Sequence, residues 1–401
     1  MAEKLKTGWR TWRFDQMAVT VNDRIENPAE ADVERYVGLE HLDSDSLTIR
    51  RWGSPSDVEA TKLRFRAGDI IFGRRRVYQR KLAVAEFDGI CSAHAMVLRA
   101  RPEVALPEFL PFFMQSGLFM ERAKQISVGS LSPTINWKTL AQEEFALPPL
   151  EEQPRIAEVL GAATQLAHLL DDAAAGADAT AQCLLLHWFQ GLHRGAPDDD
   201  GGSGNRPSHM PLTPLRTLLL ATQYGLSEAP TRDGQYPMLR MMDLVDGRAV
   251  DDNLCSVALS EDAFRRYRLE QGDVLFNRTN SHDLVGRTGV YRLEGDHVFA
   301  SYLVRLKTDP GMLLPDYLCE FLNSQPGRRQ VMQFASRGVS QSNVNVSNLQ
   351  RVLIPLPPIA YQQRIVHHTQ TLRRVRQSCE QRADQAQGLA AQVANELFGE
   401  S

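Results

Sequence analysis

The chain has 401 residues, 43% hydrophobic and 23% charged, with a formal net charge of −4. That is the make-up of a globular protein with room for two or three cores, and it excludes fibrous and disordered classes. No run reaches the roughly 18 apolar residues of a membrane span, and the opening MAEKLKTGWRTWRF has no apolar signal segment, so a cytoplasmic protein is expected.

The first 150 residues read as a β-rich domain. GDIIFG (68–73), KLAVAEF (81–87) and ICSAHAMVLRA (90–100) each carry strand composition with turn residues at their ends. Short helices are expected over 107–125, broken at Gly117. A polar loop, SVGSLSPTIN (127–136), leads into a short strand that two prolines terminate in LPPLEEQPRI (147–156). The prolines are expected to set the angle at which the next helix leaves. Pro154 falls in its first turn, where proline is tolerated.

A helix is expected from Arg155 to about Leu192, spanning roughly 57 Å at 1.5 Å per residue. Two interleaved apolar sets repeat every seven residues: Ile156, Ala163, Leu170, Ala177, Leu184 and Leu160, Ala167, Ala174, Ala181, Trp188. So narrow and alanine-rich a stripe predicts close packing on another helix. RGAPDDDGGSGNRPSHMP (194–211) has the composition of a flexible linker.

The chain then repeats itself. SVGSLSPTINWKTLAQEEFALPPLEEQPRI (127–156) and SRGVSQSNVNVSNLQRVLIPLPPIAYQQRI (336–365) share ten identities in thirty ungapped positions, at an offset of 209. PDYLCEFLNS (315–324) answers PEFLPFFMQS (107–116), GDVLF (272–276) answers GDIIF (68–72), and YPMLRMMD (236–243) answers YVGLEHLD (36–43). GRTGVYRL (286–293) and VFASYLVRLKT (298–308) are the matching strands, and helices over 315–335 break at Pro326. A period this long is a duplicated domain, not a solenoid. The expected parts are 1–150, first domain; 151–194, first long helix; 195–211, linker; 212–358, second domain; and 359–401, second long helix.

The seam register survives duplication, giving Ile365, Leu372, Cys379, Ala386, Val393 and Thr369, Arg376, Ala383, Ala390, Leu397. Ile156, Leu160, Leu170, Leu184, Ile365, Leu372 and Val393 are the larger seam candidates. Six acids and two arginines over 151–194 face five arginines and four acids over 361–401. The helices are therefore expected to pair, and a pseudo-twofold antiparallel arrangement uses the duplication most simply.

No catalytic constellation emerges. There is no P-loop, GxGxxG, GxSxG, HExxH or EF-hand pattern. NPAE (27–30) lacks the aromatic of an adenine-methyltransferase motif, and His367 and His368 cannot share a metal on one helix face. The five cysteines are scattered without a CxxC pair, which disfavours disulfides and zinc. No metal and no cofactor is expected.

Charge distribution says more than the total. Seven of the 45 Lys and Arg residues are lysine, leaving 38 arginines. Arginine suits bidentate contacts to phosphate and guanine, although GC-rich genomes favour it too. Residues 64–81 hold seven basic residues and one acid, Asp69. Their strand-to-strand tip offers Arg74, Arg75, Arg76, Tyr78, Arg80 and Lys81. The second tip offers Asn277, Arg278, Thr279, Asn280 and Ser281, with asparagine suited to adenine. The loops before the proline pairs add Ser130, Ser132, Thr134 and Asn136, and Arg337, Ser340, Gln341, Ser342, Asn343 and Asn345. Their small donors suit phosphates, and equally suit turns.

These features resemble a known family. Two halves, each ending in GS…N…L…LPPLxEQxRI and a long helix, together with YVGLEHLDSDSLTIRRWG, GDIIFGRRRVYQRKLAVAEFDGICSA and GDVLFNRTNSHDLVG, resemble specificity subunits of type I restriction-modification enzymes over about residues 9–399. The resemblance implies an α+β fold with two β-rich target-recognition domains separated by two long antiparallel, coiled-coil-like helices. It implies that each domain reads one half of a bipartite site in double-stranded DNA, with a spacer set by helix length. It also implies no chemistry in the chain itself and docking of modification (methyltransferase) subunits, two in number. Restriction (translocase and nuclease) subunits would join through these. A catalytic DNA methyltransferase and a coiled-coil scaffold without nucleic acid are the competing classes.

Overall fold

The computed structural model describes residues 6–191, 211–231, 233–337 and 342–399. The chain divides into two compact units, Met1–Asp171 with Glu380–Ser401, and Asp172–Cys379. All but the last residue of the expected linker 195–211 lies outside the described residues.

In the first unit, a four-stranded antiparallel sheet runs in the order Ala18–Val21, Ala95–Ala100, Ile70–Gly73, Leu82–Val84. A smaller sheet contains Tyr36–Val37 and Gly89–Ser92 as parallel neighbours. The GDIIFG strand is apolar on both faces because both are covered. Ile70 and Phe72 face a core with Phe113 and Phe119, while Ile71 faces a second core with Phe65 and Cys91. Burial among apolar groups pushes the Cys91 thiol up to about 12, so it stays protonated as a core residue.

The second unit repeats this plan. Leu219–Tyr224, Leu303–Thr308, Val274–Asn277 and Thr288–Val290 stand in the same order, extended by Arg248–Ala249 and Leu244–Val245. Val274 and Phe276 face one core and Leu275 faces another. Tyr236–Leu239 and Val298–Phe299 form the parallel pair.

The stretches 90–100 and 298–308, each expected as one strand, are two strands apiece. Gly89–Ser92 and Ala95–Ala100 flank a turn at Ala93–His94, and Val298–Phe299 and Leu303–Thr308 flank one at Ser301–Tyr302. Around the turns, only Ser92 and His94 in the first stretch and Ser301 in the second interrupt the apolar residues, because the chain passes from one buried sheet into another. The helix breaks also differ from expectation. They fall at Ser116 and Ser324, whose hydroxyls cap the following helices by accepting from the backbone N–H of Phe119 and Gly327, both at 3.3 Å.

The repeated GD dipeptide is a built turn. Gly68 and Gly272 have φ of +88° and +89°, a region that favours glycine. The following carboxylates, Asp69 and Asp273, accept from the N–H of Arg66 (2.9 Å) and Glu270 (2.8 Å). Each also meets an arginine of a neighbouring strand, Arg99 at 2.7 Å and Arg305 at 3.4 Å.

Each half opens and closes on a two-stranded ribbon, Arg10–Arg13 with Glu144–Leu147 and Leu212–Pro214 with Leu353–Pro355. The proline pair follows, then a long helix, Gln153–Gly191 or Ile359–Phe398. The joint is held by a glutamine that neither proline content nor periodicity singles out. Gln153, fully buried, donates to the carbonyls of Val104 (2.9 Å) and Pro148 (3.1 Å) and accepts from Leu106 N–H (2.9 Å). Gln362 does the same with Met312 (2.8 Å), Pro357 (2.9 Å) and Leu314 (2.9 Å). The prolines stop the strand, and the amide fixes where the helix starts.

Within the first unit the helices run antiparallel. Ile156 and Leu160 enter the same core as Ala394 and Phe398, with Val393 packed against it. Further along, Ala167, Ala383 and Ala386 form an alanine seam with Leu170. Phe398 lies 5.4 Å from the ring of Phe113 and 5.7 Å from that of Phe109. Within the second unit Leu185, Phe189 and Ile365 share a core, and Trp188 lies 6.0 Å from His368. Leu184 and Leu372 are half-buried. Charge on the second helix serves another purpose than the expected helix-to-helix pairing at two positions: Arg373 bonds to buried Glu320, and Arg376 to Asp246, both in the globular part of the same unit.

Candidate nucleic-acid interface

In the first unit the expected tip and the expected loop meet. Arg75 and Thr134 form an antiparallel bridge, and Val128 and Thr134 form a second. Arg76 N–H donates to Pro133 O (2.8 Å) and Ile135 N–H to Arg74 O (3.0 Å). The second unit makes the equivalent contact, from Val344 N–H to Arg278 O at 2.9 Å. There Thr279 and Asn280 pair with Asn343 and Ser342, and Asn343 donates to the Thr279 hydroxyl at 3.0 Å. Two segments about 60 residues apart in sequence thus become one surface in each unit, which no local pattern could reveal.

Side chains then separate into two groups. In the first unit Arg76 Nε donates to Ser132 Oγ at 3.2 Å, and Arg75 reaches Ser132 Oγ and His94 Nε2 at 3.5 Å each. Arg76 and Tyr78 are exposed, Arg74 and Arg75 half-buried, and Ser130 and Asn136 exposed. Arg80 instead bonds to Asp45 and to Gln115 O (2.6 Å), and Lys81 to Leu39 O (2.6 Å), so both brace the tip from within. Arg76 and Arg80 adopt left-handed backbone, with φ of 58° and 51°. Such strain in a non-glycine residue persists where surrounding structure imposes it.

In the second unit Arg278 stacks on Tyr224 at 5.0 Å, and Ser281 and Asn280 lie at the surface or half-buried. Asn277 is fully buried, donating to Leu284 O at 3.3 Å, and lies apart from that surface. Thr279 and Ser342 are buried in the ladder, and Asn345 accepts from Asn348 N–H at 2.7 Å as a helix cap. Ser340 and Gln341 lie outside the described residues, as does the side chain of Arg337. Arg74 and Arg278, equivalent by their backbone contacts, each bury an Nε that has no partner among the described residues.

Sequence reading missed three residues here. His94, brought beside Arg75 by the turn at 93–94, has its pKa lowered by burial and by repulsion from Arg75, Arg74 and Lys62. Tyr224 and Tyr302 stand exposed beside Arg278, whose N–H donates to Tyr302 O at 3.0 Å. Among the described residues there is no group of three or more His, Cys, Asp or Glu placed to hold a metal. No described helix is long and apolar enough to cross a membrane.

A family model for the type I restriction modification DNA specificity domain matches residues 58–170 and 224–385. The StySPI specificity subunit of a type I restriction enzyme from Salmonella potsdam is 26% identical over 92% of this chain and 83% of its own length. The EcoKI specificity subunit from Escherichia coli K12 is 26% identical over 70% of this chain and 62% of its own. Among solved structures, a chain from a type I R-M system aligns over 99% of this chain and 100% of its own, with TM-score 0.59 and 22% identity. The S subunit from M. genitalium aligns over 100% of both chains with TM-score 0.56 and 13% identity. At these identities the structural likeness speaks for the fold.

Proposed function

The chain belongs to the type I restriction-modification DNA specificity family, and from that premise we propose that it reads a bipartite site in double-stranded DNA, one half with each unit. The observation that carries this reading is the equivalent backbone contact of Arg74 with Ile135 and of Arg278 with Val344. One scaffold presents Arg74, Arg75, Arg76, Ser130 and Ser132 in one copy and Arg278, Asn280, Ser281 and Asn343 in the other. A shared frame with different donors and acceptors is what reading two different base sequences calls for. Spacer length is a property of the long helices. The chain contributes recognition and no chemistry. Methyltransferase subunits, two in number, dock on the helices, whose exposed Val159, Leu166 and Leu169 form an apolar stripe on the first, and restriction subunits join through them.

Methylome sequencing of a host carrying the intact system gives both half-sites at once. Binding to duplexes altered in one half then tests the assignment. Arg75→Ala is expected to weaken binding through the first unit's half-site alone, by about fivefold or more, since one good bidentate contact is worth about 1–3 kcal/mol. Equal loss of discrimination at both halves would refute the placement.

A further inference from the structure

The loop that joins Val128 to Thr134 has Leu131 at its apex, 91% exposed, and Val128 is 72% exposed. A single exposed leucine is ordinary on a protein surface. The setting of this one is not. The loop is closed by Val128 N–H to Thr134 O at 3.1 Å and Thr134 N–H to Val128 O at 3.0 Å. Gly129 takes φ +117°, and Thr134 Oγ1 donates to Ser132 O at 3.1 Å. Ser132, next to Leu131, is gripped by Arg75 and Arg76. An apex braced in this way cannot fold back to bury its side chain. The formal charges around it are positive, with Arg74, Arg75 and Arg76 on the facing segment and no acid between Arg122 and Gln142. At the same place in the duplicated sequence stands Ser340.

We propose that Leu131 is a specificity residue that packs on a thymine C5-methyl group in the major groove of the half-site bound by the first unit. Three physical points favour this occupant. The guanidinium groups of Arg75 and Arg76 beside the apex favour a polyanion. The major groove admits a two-stranded turn. The thymine methyl is the apolar group that base edges display there. The aligned residue of the second half of the sequence, Ser340, has no apolar side chain, so the proposal concerns the first unit's half-site alone. The inference rests on the reading of the tip as DNA-facing and adds a chemical identity to one of its contacts.

The test uses the full-length chain co-expressed with its modification subunits and duplexes carrying the mapped site. Each thymine of the first half-site is replaced in turn by deoxyuridine, which removes only the methyl. One replacement is expected to weaken binding about fourfold, the contribution of one buried methyl group. Leu131→Ser should weaken binding to the native duplex by a similar factor, become indifferent to that replacement, and leave the melting temperature unchanged. Retained sensitivity in Leu131→Ser, or no sensitive thymine in the wild type, would overturn the inference. Arg75→Ala separates the two readings. Lost first-half binding in Arg75→Ala, with Leu131→Ser silent, removes the leucine contact and keeps the DNA-facing tip. Silence of both removes both.

Discussion

Replacing Gln153 by methionine keeps the length of the side chain and removes three hydrogen bonds from a fully buried site. The variant strands one N–H (Leu106) and two carbonyls (Val104 and Pro148), the first two in half-buried residues and Pro148 in a buried one. At about 1 kcal/mol net per bond, and more for any group left unsatisfied, the unit should lose about 3 kcal/mol. For a unit of this size that is a fall in melting temperature of about 6–12 °C. Gln362→Met should behave alike, because its three partners occupy the same places. Differential scanning calorimetry of the purified chain measures both. Pro154→Gln is the control: Pro154 is exposed and the second copy has Gln363 there, so a change within about 0.5 kcal/mol is expected. Falls below about 2 °C in both glutamine variants, or a larger fall in the proline variant, would refute the view that the amide, not the proline, anchors the helix.

Two further outcomes follow from charges. Glu320 is buried against Arg373, so Glu320→Ala should cost about 3–5 kcal/mol in urea denaturation by leaving Arg373 without its partner, while Glu320→Leu with Arg373→Met should come close to wild type; an equally unstable double variant would contradict this. His94 has its pKa held below the usual histidine value, so the unfolded chain takes up that proton first, and stability should be full above about pH 6.5 and decline as pH falls from there toward the folded pKa. Melting temperatures at pH 7.5 and 5.5 for wild type and His94→Gln check this, the expected result being a shallower acid loss in the variant.

The duplication, the helix periodicity and the family were legible because each is written in spacing along the chain. The split of 90–100 into two strands was not, since only Ser92 and His94 interrupt the apolar residues where the sheet they serve changes at Ala93–His94. The role of Gln153 carried a signal, its identity with Gln362, but two bonds to a loop nearly 50 residues upstream, at Val104 and Leu106, cannot be read from a helix's first turn. Arg80 and Lys81 have the composition of DNA-facing residues, yet Asp45, Gln115 and Leu39 claim them, and those partners come from distant segments. Burial of Asn277 likewise depends on the ladder built above it.

Phe398 closes the core that Phe109 and Phe113 begin. Asn395 accepts from Gly117 N–H at 3.2 Å, and Lys6 donates to the carbonyls of Glu396 and Leu397 at 2.9 and 2.7 Å. The first unit is therefore built from segments 390 residues apart in sequence. During synthesis its β-sheets can assemble early, but the aromatic cluster waits until the second long helix has been made as far as Phe398. A ribosome that stalls beyond the second domain would release a chain with a raw apolar face on the first, the kind of surface that chaperones and proteases recognise. Synthesis of the second long helix is thus built into the unit as a condition for its maturity.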